Sequence, residues 1–116
     1  MAISSRANDT IYALYTGYDK DRNSDYDFVI GVRVVTTDSV PPGMVLKHVP
    51  SGKYAVITSG KGPAFQVVPG AWQQVWKLED DAQLGGTRAY STDYEIYDQR
   101  ARDPQAVQVD LFISVQ

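Results

Sequence analysis

Only one stretch of this chain spaces its apolar residues for a helix. Val68, Ala71, Trp72, Val75, Trp76 and Leu78 recur at three- and four-residue steps, the stripe of an amphipathic helix that buries a single face. Elsewhere the apolar residues alternate with polar ones or run together over short distances, as strands do. Ile11 to Tyr18 reads as a strand buried on both faces or nearly so, and Tyr26 to Thr36 sets Phe28, Ile30, Val32 and Val34 on one side. Met44 to Val49 and Lys53 to Ser59 follow as further strands, and Arg88 to Tyr97 and Val107 to Val115 come after the helix. One helix among these strands covers one face of a sheet, so the expected class is α+β, an antiparallel sheet with the helix packed on one face.

The breaks between these segments carry turn chemistry. The polar run Asp19-Lys20-Asp21-Arg22-Asn23-Ser24-Asp25 joins the first two strands as a hairpin tip. Its acidic spacing resembles a calcium loop but lacks the glycine at position six and the glutamate at position twelve, so calcium is rejected. Pro41-Pro42-Gly43 and Pro50-Ser51-Gly52 mark turns. Gly60-Lys61-Gly62-Pro63 is also a turn, because it has neither the eight-residue spacing nor the Lys-Ser or Lys-Thr end of a phosphate loop. Pro69 is expected in the first helical turn, where its missing amide donor costs nothing.

With 116 residues the chain is expected to form one domain. Its 14 acidic and 11 basic side chains leave a net charge of -3, with the lysines and arginines scattered. No basic stripe exists to neutralise phosphates, so direct nucleic-acid binding is not expected and any regulatory DNA contact needs another chain. The absence of cysteine excludes disulfides and thiolate chemistry. The single histidine, His48, gives neither a two-His metal site nor a visible triad, and reads as a surface or rim residue. No catalytic residue, metal or cofactor is therefore expected. No segment approaches the ~18 apolar residues of a membrane span, and a secretory apolar region is missing at the start, so a cytoplasmic location is expected.

From Gly43 to the C-terminus the sequence resembles the GyrI-like small-molecule-binding family, whose domains also form the effector-binding halves of AraC-type (Rob) and BmrR-type regulators. The resemblance rests on four elements: Pro50-Ser51-Gly52-Lys53-Tyr54-Ala55-Val56; the glycine loop before Ala71-Trp72-Gln73-Gln74-Val75-Trp76; the strand Tyr94-Glu95-Ile96-Tyr97; and the closing strand Val107 to Ile113. Within the family it is most similar to stand-alone cationic-drug-binding proteins of integron cassettes. The resemblance implies strand-helix-strand-strand repeats, of which the first here lacks its initial strand and helix. It points to a chain that starts inside the repeat, with an uncovered sheet face that favours a homodimer or an exchanged N-terminal element.

Glu95 is the sharpest candidate. An ionised carboxylate amid Tyr94, Ile96 and Tyr97 is costly unless something pairs with it, and an organic cation is such a partner. Strand alternation sets Asp93 and Tyr97 on the face of Glu95. Trp72 and Trp76 share a helix face one turn apart, and indole faces attract cations. Trp72, Trp76 and Tyr54 also fit as core residues, and spacing does not separate a pocket role from a sheet-filling one for Tyr12 and Tyr15. A salt bridge from Glu95 to Arg88 or Arg33 is the structural alternative. The expected function is binding of a lipophilic cationic small molecule by Glu95, Tyr97, Trp72, Trp76, Tyr54 and Tyr15, in a sensor-like module of transcription-regulator type. The competing classes are a small hydrolase with Glu95 as general base and a protein inhibitor of gyrase type.

Overall fold

The computed structural model describes residues 6–19, 25–34, 42–44, 47, 49 and 52–116. Five strands, β1 (Arg6–Thr16), β2 (Asp27–Val34), β3 (Lys53–Thr58), β4 (Thr92–Tyr97) and β5 (Asp110–Val115), form one sheet in the order β2-β1-β4-β5-β3. All neighbouring strands are antiparallel. The one α-helix among the described residues, α1 (Ala64–Asp80), packs on one face of the sheet, so the α+β expectation holds.

The aliphatic core lies under α1. Ala71 and Val75 meet Val109, Leu111 and Ile113, with Ala55 and Ile57 of β3 packed against them. Burying one such side chain contributes roughly 1.5–3 kcal/mol. Because Ala55 and Ile57 face the helix, Tyr54 and Val56 point to the opposite face.

Three details of the sequence reading change. Pro69 lies inside α1, past its first turn, because Pro63 takes the cap and its carbonyl accepts the amides of Gln66 and Val67. α1 ends in a Schellman arrangement, in which Ala82 adopts a left-handed φ of 55° and Gln83 donates to the Leu78 carbonyl. The strand expected from Arg88 is continuous only from Thr92, since Tyr90 has a φ of 52° and Arg88 makes an isolated bridge to Val115. Met44, Lys47 and Val49 are not in a strand, and the rest of that segment, with His48, lies outside the described residues.

Candidate functional site

The register of β1 on β4 builds the site. Ala13 lies directly opposite Glu95, and Tyr15 opposite Asp93. A small residue facing Glu95 leaves the flanking rings to surround the carboxylate. Glu95 is only 2% exposed. Its Oε2 accepts the phenol of Tyr15 at 3.0 Å and the indole Nε1–H of Trp72 at 2.5 Å, and its Oε1 accepts the phenol of Tyr97 at 2.8 Å. Strand β4, strand β1 and helix α1 thus each send a neutral donor to one buried acid. Among the described residues no cation reaches it.

Burial, followed by the nearby charge of Glu95 and the hydrogen bond to it, pushes the phenols of Tyr15 and Tyr97 well above their ordinary range. Both therefore stay protonated and donating at any physiological pH. The rings continue outward as a wall. Tyr15 meets Trp72 edge-on at 5.0 Å between centroids, Phe28 at 5.1 Å and Tyr26 at 5.6 Å; Tyr26 meets Tyr18, which meets Tyr90.

A second polar cluster borders this wall. Asp93, with no exposed surface, accepts Arg88 at 2.6 Å, the Tyr18 phenol at 2.8 Å, and both the amide and hydroxyl of Ser114. Arg88, 3% exposed, also reaches Glu79 at 3.4 Å, lies over the Tyr90 ring at 4.2 Å, and leaves only its Nε without a partner. Tyr90 donates to Glu79. The alternative in which Arg88 neutralises Glu95 is therefore not what forms: Arg88 takes Asp93, and Arg33 makes no ion pair among the described residues.

Of the six residues singled out from the sequence, Glu95, Tyr97, Trp72 and Tyr15 come together through hydrogen bonds. Trp76, one turn beyond Trp72, is 39% exposed and has no hydrogen bond to Glu95, so it stands at most at the rim. Tyr54 packs with Tyr94 at 5.5 Å and Phe112 at 6.2 Å on the helix-free face, away from the carboxylate. Sequence reasoning missed Tyr18, Tyr26, Phe28 and Tyr90, which bear on the site only through pairings across the sheet and around a left-handed turn. A polar cleft of about 250 Å³ lined by Lys61, Gln99, Arg100, Asp103, Ala106 and Gln108 shares no residue with this site.

Residues 3–115 match the family described as Integron-associated effector binding protein, Cass2. The chain belongs to this family. Membership makes it a small-molecule-binding module of the effector-binding type. Two longer relatives agree. A Bacillus subtilis (strain 168) protein named as a transcriptional regulator, YobU, is 33% identical over 106 residues, 91% of this chain and 64% of its own length. The transcriptional regulator BrlR of Pseudomonas aeruginosa is 38% identical over 96 residues, 80% of this chain and 34% of its own length. The chain thus spans about two thirds of one and one third of the other. No helix among the described residues is long and apolar enough to cross a membrane.

Proposed function

We propose that the effector is a lipophilic organic cation, bound with its charge against Glu95 and its apolar body along Trp72, Tyr15, Phe28 and Tyr26. The observation that carries this reading is the pattern of donors. Glu95 is buried, oriented from three sides, and satisfied among the described residues only by neutral groups, so its charge is left for a guest to balance. Aromatic faces next to that charge add attraction for a cation, roughly 0.5–2 kcal/mol each when desolvated. Tyr97 fixes the second carboxylate oxygen and holds the rotamer. Trp76 extends the rim, and Tyr54 has no part in the contact.

As a regulator module the chain would act as the ligand-reading part of a sensor, as the names of YobU and BrlR suggest, with DNA contacted by another segment or chain. The test uses two probes of the same shape and opposite charge. Tetraphenylphosphonium should raise the melting temperature of the wild type and tetraphenylborate should not. Glu95→Gln, which keeps the shape and removes the charge, should weaken the phosphonium by roughly tenfold or more, about 1.4 kcal/mol. Equal stabilisation by both ions, or an undiminished response in Glu95→Gln, would overturn the reading.

A further inference from the structure

An ionised carboxylate has two oxygens and about four lone-pair positions at which it can accept. At Glu95, Oε2 takes both Tyr15 and Trp72, whereas Oε1 takes only the Tyr97 phenol, at 2.8 Å. One acceptor position, on Oε1, is therefore open among the described residues. The surroundings offer little else to a donor. The Trp72 indole can only donate, Phe28 carries no polar side-chain atom, and the phenols of Tyr15 and Tyr97 turn their hydrogens to Glu95. A phenol oxygen shares its lone pair with the ring and accepts weakly. Around Ala13 and Glu95 the backbone carbonyls are taken up by ladders with the strands on either side.

Resting on the reading of Glu95 as the seat of a cation, we infer that the site sorts its guests by the number of N–H groups on the charged atom, and that the effector is a tertiary ammonium. A tertiary ammonium carries one N–H, which the open position on Oε1 accepts, and its three carbon substituents meet the rings. A primary ammonium carries three. One of these is accepted and two are left against aromatic walls, beside a carboxylate only 2% exposed, where little water replaces the lost bonds. The phosphonium probe, with no N–H, strands no donor and leaves the position empty. Selectivity is thus set by the count of open acceptors, since the charge of all these guests is the same.

Decylammonium and N,N-dimethyloctylammonium test this by calorimetric titration. They are isomers with the same atoms and the same charge at neutral pH, and differ in how many donors the charged nitrogen carries. The wild type is expected to bind the tertiary isomer roughly tenfold or more tighter than the primary one. A primary ammonium is also the better hydrated of the two, which favours the tertiary isomer in any apolar site. Tyr97→Phe separates the two causes, because it keeps the ring and frees a second position on Oε1. It should strengthen the binding of decylammonium without strengthening that of its isomer, narrowing the ratio by roughly threefold or more. Hydration alone would leave the ratio as it was. Equal affinity for the isomers in the wild type, tighter binding of the primary one, or an unchanged ratio in Tyr97→Phe would overturn the inference while Glu95 remained the cation's seat. Failure of the underlying reading looks different. There, neither isomer binds the wild type, or Glu95→Gln binds both as tightly as the wild type does, and both conclusions fall.

Discussion

Asp93 and Glu95 stand two residues apart on β4 and are almost equally withdrawn from water, yet they are satisfied in different ways. Asp93 has a guanidinium at 2.6 Å together with a phenol, an amide and a hydroxyl. Glu95 has two phenols and an indole, and no cation among the described residues. A buried acid with its own counter-ion belongs to the scaffold. An acid oriented by neutral donors is free, on the proposed reading, to balance the charge of a guest. Burial alone does not separate the two neighbours; the sign of their partners does.

The largest effect should come from breaking the paired side. Arg88→Ala strands Asp93 as a buried charge, and urea unfolding should show a loss of about 3–5 kcal/mol. A loss under 1 kcal/mol would mean that water reaches Asp93. Next comes alkali. Tyr15, Tyr18 and Tyr97 are held above the ordinary phenol value of 10.0, first by burial and then by the neighbouring carboxylate, Glu95 for Tyr15 and Tyr97 and Asp93 for Tyr18. The folded state therefore keeps these protons more tightly than the unfolded one. Their contribution is whole below pH 10 and is lost as the pH climbs beyond it. An absorbance titration should find these phenols ionising only together with unfolding, and ionisation of all eight tyrosines near pH 10 in a folded chain would contradict the site as described.

Trp72→Phe keeps a ring and removes one donor to Glu95, which should cost about 1 kcal/mol in unfolding. Arg100 offers an exposed counterpart to Arg88. It pairs with Asp98 at 3.0 Å and Asp110 at 2.8 Å, yet its side chain keeps 33% exposure. Arg100→Gln should therefore cost no more than about 1 kcal/mol. Smallest of all, Glu95→Gln should leave the unliganded stability within about 1 kcal/mol of the wild type or raise it slightly, because no buried cation loses its partner. Only in the presence of a cationic probe should that variant stand apart. A Glu95→Gln chain as unstable as Arg88→Ala would erase the distinction between the two acids.

Much of this arrangement was legible beforehand because it is local. The helical stripe Val68 to Leu78 and the alternating strands follow from spacing, and Glu95 with Tyr97 on one face follows from their separation of two. Trp72 was legible as a candidate, but its partner was not, since a helix and a strand 23 residues apart meet only through the tertiary fold. Tyr15 illustrates the limit more sharply. It reaches Glu95 across 80 residues of sequence, through a β1–β4 register that no local pattern encodes. Tyr54 fell on the wrong face for a related reason: its strand pairs with β5 at the far edge, and which side α1 covers there depends on Ala55 and Ile57. Arg88 resembled a partner for Glu95 in sequence, but the left-handed turn at Tyr90 delivers it to Asp93 instead.

Trp72 serves as wall and as donor at the same atom pair that a cation would approach. The chain therefore carries its own optical gauge. With two tryptophans in all, one hydrogen-bonded to the carboxylate and the other, Trp76, partly exposed, a guest seated against Glu95 as proposed would change the emission of the first. Occupancy can then be followed by intrinsic fluorescence, with no label attached.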